Sequence, residues 1–169
     1  MKENSDPAGA AALSRMAAFE ATSVLKARYF RLMDLKQWDA WQALYVDTAV
    51  MDMRGEADAM AQLGIEVGDG ADWVLRSAAA IRQSVEGALE GVTTVHHGHM
   101  SETVMTAPDR ITATWAMEDV IRYPPNWPVT GFNGYGHYHD SYVFENGQWL
   151  IESVTLTRLL IRPLPHRAR

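Results

Sequence analysis

Three histidines fall within four consecutive positions of the stretch TTVHHGHM, at His96, His97 and His99. An unperturbed imidazole titrates at about pH 6.5, so such a residue can act as a general base near neutral pH or bind a metal. Successive side chains of a strand point to opposite faces. His96 is therefore predicted to share a face with Gly98 and Met100, and His97 to share the other face with His99. The chemistry of the cluster depends on which other polar groups reach each face.

Four further polar residues occupy positions where the hydrophobic pattern predicts core side chains. A charged group on an apolar face is costly unless a partner pairs with it. Each one has an ordinary explanation, such as turn chemistry, a core tyrosine, or an ion pair within the chain or with a partner subunit. Together they predict a polar pocket inside a curved sheet. They are Asp119, on the strand face of Trp115 and Met117; Arg158, on the face of Val154, Leu156 and Leu160; Tyr29, on a helical stripe; and Asp34, at the end of that helix.

A metal site is the competing interpretation of the histidines. The pairs His97-x-His99 and His137-x-His139 each place two imidazoles on one strand face, as in metal-binding barrels of the cupin type. Such sites need a glutamate further along the strand than Glu102 is from His99. Exposure at the surface or rim is the favoured interpretation of both pairs, and no metal is predicted.

The order of the predicted elements places helices first and strands afterwards. Leu25, Tyr29 and Leu32 share one face of a helix expected from Met16 to Met33, and a second helix follows a corner at Asp34. Alternation with a period of two then dominates, and Asn146-Gly147 is a hairpin signal. The fold class is α+β, with an antiparallel sheet curved around the helices. The remaining segments are a strand over 47–55, a loop over 56–72, a helix over 73–91, and strands over 92–106, 110–123, 134–144 and 148–161.

Composition narrows the classes of function. A chain of 169 residues fits one domain, here 16–161, preceded by a flexible N-terminus (1–15) and followed by a basic tail (162–169). The net charge of −6 argues against a nucleic-acid partner, and the lack of cysteine excludes thiolate chemistry and disulfides. No run reaches the roughly 18 apolar residues of a membrane span, and the start of the chain does not resemble a signal sequence. A cytoplasmic protein without membrane contact is expected.

Five segments, in this order, resemble the SnoaL-like branch of the nuclear transport factor 2-like superfamily. Over residues 18–161 the chain is most similar to the bile-acid 7-alpha-dehydratases, and less to the scytalone dehydratases and hexachlorocyclohexane dehydrochlorinases. The resemblance implies a cone-shaped α+β barrel around a deep pocket, often a homotrimer, with neither a metal nor an organic cofactor. The segments are ARYFRLMDLKQWD (27–39), TVHHGHMSE (94–102), TATWAMEDV (112–120), NGYGHYHDSYVFENGQW (133–149) and IESVTLTR (151–158).

Site residues follow from the resemblance position by position. His96 matches the catalytic base, Tyr29 a catalytic tyrosine and Arg158 an arginine of the substrate site. Asp34 and Asp119 both match implicated aspartates, and the sequence leaves open which one orients His96, with Asp34 preferred. Where related dehydratases carry a second active-site tyrosine, this chain has Met53, so the site has one proton donor fewer than those enzymes. Four residues are expected to shape an apolar pocket for a ring-bearing substrate: Trp115, Met53, Met117 and Tyr138.

The chemistry that fits these residues is removal of water from a cyclic hydroxy ketone, or from a steroid- or polyketide-like molecule, by a His–Asp general base. Dehydrochlorination, polyketide cyclisation, a ketosteroid-type double-bond shift and a non-catalytic binding module remain alternatives, since one fold supports many functions. The segment PPNWPVTGFN (124–133) is either a lid over the pocket or a plain connection between strands.

Overall fold

A computed structural model of the protein describes residues 7–65, 73–125, 127 and 129–164. Helices come first and long strands afterwards, as the sequence predicts. The elements are α1 (Pro7–Asp34), α2 (Trp38–Gln42), β1 (Tyr45–Asp52), α3 (Arg54–Gln62), β2 (Val74–Arg76), α4 (Ala78–Ala88), β3 (Thr93–Ala107), β4 (Arg110–Arg122), β5 (Gly131–Glu145) and β6 (Gln148–Pro163).

The six strands form one curved sheet in the order β2-β1-β6-β5-β4-β3. All neighbouring strands are antiparallel except β1 and β6, which run parallel, so the sheet is mixed. Register shifts interrupt β3 between Gly98 and Ser101, and β5 near Tyr135 and again near Ser141. Irregularities of this kind bend a strand and increase its twist. The bending lets the sheet curve around the helices instead of lying flat.

Helix α1 covers the concave side of the sheet with the stripe predicted from the sequence. Leu25, Tyr29 and Leu32 are each buried. The helix ends at Asp34, and Lys36 takes a left-handed conformation with φ of 57°. The N–H of Lys36 donates to the carbonyl of Met33, and the N–H of Gln37 to that of Leu32. This is a Schellman cap, which turns the chain sharply just after Asp34.

Two of the predicted segments are wrong. Residues 56–72 were expected to be a loop because Gly and Asp are frequent there, yet α3 occupies Arg54–Gln62; residues 66–72 lie outside the described part. The helix expected over 73–91 is divided, because Val74–Arg76 pairs antiparallel with β1 and only Ala78–Ala88 is helical. Ser77 separates them, and its hydroxyl accepts the N–H of Ala80 as an N-cap.

The ends of the chain differ in detail from the expectation. Helix α1 begins at Pro7 and not at Met16, so it includes residues 7–15 of the segment expected to be flexible. Strand β6 continues to Pro163, and residues 165–169 of the expected basic tail lie outside the described residues. Within the described part of the chain, no helix combines the length and hydropathy needed to cross a membrane.

Candidate active site

His96 and Asp34 form a hydrogen-bonded pair between β3 and the end of α1. The imidazole Nδ1 lies 2.7 Å from Asp34 Oδ1, and the backbone N–H of His96 donates to Asp34 Oδ2 over 2.9 Å. The carboxylate accepts only, so Nδ1 carries the proton and Nε2 is left free of it. The ring is 7% exposed and stacks on Phe30, with planes 8° apart. The arrangement fixes both the tautomer and the orientation of the imidazole.

Two more side chains hold Asp34 in its ionised form. The Thr94 hydroxyl donates to Asp34 Oδ1 over 2.7 Å, and the ammonium of Lys36 donates to that hydroxyl over 2.9 Å. Partial burial by itself raises the pKa of Asp34, but the hydrogen bonds and charge of His96, helped by Thr94, outweigh it. The pKa of this carboxyl therefore lies below its usual range. Asp34 stays an anion at any pH where His96 could act as a base.

Arg158 lies on the other side of the site between two carboxylates. Its Nη2 is 2.7 Å from Asp119 Oδ2 and 2.6 Å from Glu56 Oε2, and its Nε donates to the same Glu56 oxygen over 2.8 Å. Its Nη1 also lies 3.8 Å from the sulfur of Met117. Burial by itself lowers the pKa of Arg158, but the two carboxylates raise it by a larger amount. The net effect is a raised pKa, so the guanidinium remains charged. An ion pair within the chain, one of the ordinary explanations given for these residues from the sequence, therefore joins Asp119 to Arg158.

Two glycines make this cluster possible. A Cβ on Gly134 of β5 would collide with Arg158 Nη1 and Asp119 Oδ1, so only glycine leaves room for the ion pair there. A Cβ on Gly55 would collide with the backbone carbonyl of Leu156 in β6. The close approach of α3 to β6 at Gly55 brings the next residue, Glu56, against Arg158.

Between these two polar groups lies a cavity of about 480 Å³. This volume is within the range of pockets that hold small organic ligands, roughly 300 to 1,000 Å³. Polar or charged residues in its wall include Tyr29, His96, Asp119, Arg158 and Glu56. The rest of the wall is mainly apolar or aromatic and comes from α1, β1, α3, α4 and the ends of the strands: Met33, Met51, Met53, Met60, Trp73, Leu75, Leu89, Ile121, Tyr123, Trp127, Phe132, Tyr138 and Leu156.

A buried ion pair supports the floor of the site behind Tyr29. Lys26 Nζ lies 2.8 Å from Asp140 Oδ2, and both side chains are almost fully buried. The ammonium also sits 4.2 Å from the ring centre of Tyr29 and 3.9 Å from that of Tyr138. Burial lowers the pKa of Lys26 against the opposing effect of Asp140, and burial raises the pKa of Tyr29 well above its usual value. Tyr29 therefore keeps its hydroxyl proton and can donate it in a hydrogen bond.

The structure brings most of the residues selected from the sequence to the cavity, though not all. Six line it: Tyr29, His96, Asp119, Arg158, Met53 and Tyr138. Asp34 acts from behind His96 and is not in the cavity wall. Trp115 and Met117, expected to shape the pocket, lie behind the wall instead: Trp115 donates its indole N–H to the Tyr142 hydroxyl, and Met117 contacts Arg158.

Among the described residues, four histidines are not part of the cavity wall: His97, His99, His137 and His139. His97 is 55% exposed and lies 4.0 Å from Glu118, and the ring of His139 interacts with Thr157 over 3.1 Å. In residues 7–65, 73–125, 127 and 129–164, no group of three or more His, Asp or Glu side chains is arranged to hold a metal ion. Met100 was predicted to share the face of His96, but it is 95% exposed because the irregularity after Gly98 reverses the alternation.

Glu56 is the functional candidate that the sequence analysis missed. It falls in a segment assigned to loop, where a glutamate has no special meaning. The one available signal was the composition of 54–62, RGEADAMAQ, which contains good helix formers and places Glu56 in the first turn. Tyr123 and Trp127 were also missed. Their rings stack 4.4 Å apart at the cavity, so the described part of 124–133 does contact the pocket.

The architecture is the nuclear transport factor 2-like α+β fold. The structure superposes on a candidate scytalone dehydratase from Novosphingobium aromaticivorans with a TM-score of 0.72 at 17% identity, covering 92% of this chain and 93% of the other. It also superposes on hexachlorocyclohexane dehydrochlorinase LinA-type3 from Novosphingobium barchaimii LL02, with a TM-score of 0.71 at 14% identity and 93% and 98% coverage. At these identities the likeness shows the fold alone.

The sequence itself defines the family. The family model of the SnoaL-like domain matches residues 14–155, and the chain therefore belongs to the SnoaL-like domain family. The chain is also similar to "Probable cyclase FGR4" of Gibberella zeae, with 25% identity over 146 residues that cover 83% of this chain and 92% of that protein.

Proposed function

We propose that this protein is a dehydratase that eliminates water from a cyclic hydroxy ketone, or from a steroid- or polyketide-like substrate, without a cofactor. The observation that carries the proposal is the His96–Asp34 pair, which opens onto a largely apolar cavity. A neutral imidazole with its Nδ1 proton held by a carboxylate has Nε2 ready to accept a proton. The steps required are proton transfers, which these side chains can perform themselves.

In the first step, Nε2 of His96 removes a proton from the carbon next to the substrate carbonyl. Asp34 stabilises the imidazolium that forms, because its carboxylate already accepts the Nδ1 proton. Negative charge moves to the carbonyl oxygen, which accepts a hydrogen bond from the hydroxyl of Tyr29, a residue of the cavity wall. The apolar wall excludes water, which strengthens these interactions. The hydroxyl on the neighbouring carbon then takes up a proton and leaves as water, and the double bond forms.

Cyclisation is the second candidate, favoured by the name of the fungal relative. It begins with the same proton abstraction, but the carbanion attacks a carbonyl of the same molecule instead of expelling hydroxide. The product of cyclisation is an isomer of its substrate, whereas dehydration releases water. Mass analysis of the product therefore separates the two reactions.

The test uses a panel of hydroxylated ketosteroids and hydroxy-polyketide analogues with the wild type, His96→Gln and His97→Gln. Loss of the base is expected to reduce kcat by about 10²- to 10⁴-fold in His96→Gln. His97→Gln is the matched control, since this exposed neighbour lies outside the cavity wall, and it should retain wild-type activity with or without a chelator. Dehydration that persists in His96→Gln, or that a chelator abolishes, would contradict the proposed mechanism.

A further inference from the structure

The cavity wall contains two acidic side chains to which the proposed elimination assigns no role, Asp119 and Glu56, and Glu56 is the more exposed of the two. Glu56 is therefore the candidate for a catalytic role. It lies in the first turn of α3, is 14% exposed and forms part of the cavity wall on the Arg158 side. Elimination of water needs a proton donor as well as a base, because hydroxide is a poor leaving group. The departing oxygen must receive a proton from a group inside the same cavity.

The hydrogen bonds of Glu56 are uneven between its two oxygens. Arg158 donates twice to Oε2, from Nε and from Nη2. Among residues 7–65, 73–125, 127 and 129–164, none forms a hydrogen bond with Oε1. Oε2 is thus held as an acceptor, while Oε1 is the oxygen free to carry a proton into the cavity.

The charges around Glu56 favour its protonated form. One guanidinium, Arg158, faces two carboxyl groups, Glu56 and Asp119, and the side chains are 8%, 14% and 1% exposed. A single positive charge cannot neutralise two buried carboxylates, so a proton on one of them relieves the repulsion. Burial and Asp119 raise the pKa of Glu56, against the lowering effect of Arg158 and His96. The other ionisable groups that Glu56 influences are two tyrosines of the cavity wall. Burial raises the pKa of Tyr123 to about 12 and that of Tyr138 well above its usual value, and Glu56 adds to both shifts.

We propose that Glu56 is the general acid of this site and protonates the leaving hydroxyl from Oε1, opposite the His96 base. This inference rests on the proposed dehydratase function and completes it. The Asp119–Arg158 pair acts as a positioning element, since it holds Oε2 and does not itself transfer a proton.

Nε2 of His96 takes the carbon-bound proton, and the electrons of the C–H bond pass into the enolate, whose oxygen accepts the hydrogen bond of Tyr29. Collapse of the enolate then forms the new C=C bond. The C–O bond breaks with its electron pair on oxygen, and the proton of Glu56 Oε1 moves to that oxygen to give water. Glu56 is left as a carboxylate beside Arg158, and His96 as an imidazolium beside Asp34. Return of one proton from His96 to Glu56 through solvent restores the starting state, and no other reactant is consumed.

The decisive experiment compares two leaving groups on one cyclic ketone, a β-hydroxyl and a β-chloride. Chloride leaves as an anion and needs no proton. Glu56→Gln keeps the size of the side chain and an oxygen for Arg158, but its amide cannot act as an acid. It is expected to lose about 10²- to 10⁴-fold in kcat on the hydroxy ketone and to eliminate chloride at close to the wild-type rate. Asp58→Asn, an exposed change on the same helix, is the control and should match the wild type on both compounds.

The outcomes separate this inference from the function on which it rests. His96→Gln should lose both reactions. Full dehydration by Glu56→Gln, or an equal loss of both reactions in that variant, would overturn Glu56 as the acid while leaving the His96 base intact. A wild type that eliminates neither leaving group would overturn the dehydratase proposal, and this inference with it.

A second measurement does not depend on the substrate. The wild type and Glu56→Gln are labelled with ¹³C at the glutamate carboxyl carbon and titrated with pH by NMR. The signal that is missing in Glu56→Gln is assigned to Glu56. Glu56 should still be protonated at pH values where the exposed glutamates are ionised. A Glu56 signal that titrates together with the exposed glutamates would overturn the inference even if dehydration is confirmed.

Discussion

Asp34 accepts two hydrogen bonds from one residue, the ring Nδ1–H and the backbone N–H of His96. The double contact joins the last residue of α1 to β3 and sets the plane of the imidazole relative to the cavity. Because Nδ1 of His96 is hydrogen-bonded to the carboxylate of Asp34, a change in the charge or chemistry of Asp34 alters the tautomer that the imidazole adopts.

Asp34→Asn is expected to reduce kcat by about 10²- to 10⁴-fold, because an amide can donate to Nδ1 and so stabilise the wrong tautomer. KM should change little, since Asp34 is not part of the cavity wall. Steady-state kinetics on a compound that the wild type converts will measure both constants. Asp47→Asn, an exposed aspartate at the start of the sheet, is the control. Wild-type kcat in Asp34→Asn would show that the pair has no role in catalysis.

The same carboxylate makes stability depend on pH. The pKa of Asp34 is lower in the folded protein than in the unfolded chain. Its contribution to stability is therefore present above the unfolded value of about 3.9 and is lost as the pH falls through the folded value. Urea unfolding of the wild type and Asp34→Asn, from about pH 7 down to pH 3, should show a difference in unfolding free energy that shrinks on acidification. A constant difference would contradict the lowered pKa.

Tyr29→Phe tests the hydrogen bond proposed for the enolate oxygen. Loss of one such donor typically costs about 10²- to 10³-fold in kcat. The ring remains in its packed position against Trp41 and Tyr138, so the melting temperature should change little. Tyr135→Phe, at a tyrosine outside the cavity wall, is the matched control. Activity retained in Tyr29→Phe would assign the tyrosine to packing alone.

The buried pair Lys26–Asp140 should be far less tolerant of single changes than of a double change. Lys26→Met leaves the Asp140 carboxylate in the core with only the Tyr142 hydroxyl as a strong partner. Removing one member of a buried ion pair costs about 3 to 5 kcal/mol of unfolding free energy. The double variant Lys26→Met, Asp140→Asn should recover part of that loss in urea unfolding. If the two single losses simply add in the double variant, the pair does not interact as the structure indicates.

Gly134→Ala should separate Arg158 from Asp119, because the new Cβ would occupy the space of both side-chain ends. We expect a stability loss of about 1 to 3 kcal/mol, as for other overpacked cores, together with reduced activity. Gly87→Ala on α4 is the control. Within the described part of the chain, no heavy atom outside its chain neighbours and the nearby backbone of its own helix lies within 4 Å of the added Cβ. A helical glycine replaced by alanine gains about 0.5 to 1 kcal/mol. A fully active and stable Gly134→Ala would contradict the close packing.

The long strands and the first helix could be predicted from the sequence because the hydrophobic pattern that defines each of them lies within neighbouring residues. Hydrophobic alternation and the Asn146-Gly147 turn define β3 to β6 within a few residues, and the stripe through Leu25 defines α1. The errors arose where the local signal is weak. Helix α3 contains Gly55 in its first turn, a residue type that helices disfavour. Strand β2 is only 3 residues long, which is too short for a hydrophobic period to be recognised.

The site was predicted less completely, since alternation assigns a residue to a face but not to a partner. The alternation along β4 correctly predicted that Asp119 lies on the buried face of the strand, where it is 1% exposed. Lys26 was not selected, because a lysine on a helix is normally solvated, yet it is 1% exposed here.

The sequence alone identifies most of the reactive side chains of the site: a histidine on a strand, aspartates on two elements, and an arginine where a core residue was expected. The contacts among the charged side chains depend on the fold, in which Asp34 contacts His96, Arg158 joins Asp119 to Glu56, and Lys26 pairs with Asp140. These partners are separated by up to 114 positions in the chain, and the bends of the sheet set their distances. Local periodicity carries no information about such distances, because they depend on how α1 and α3 pack against the curved sheet.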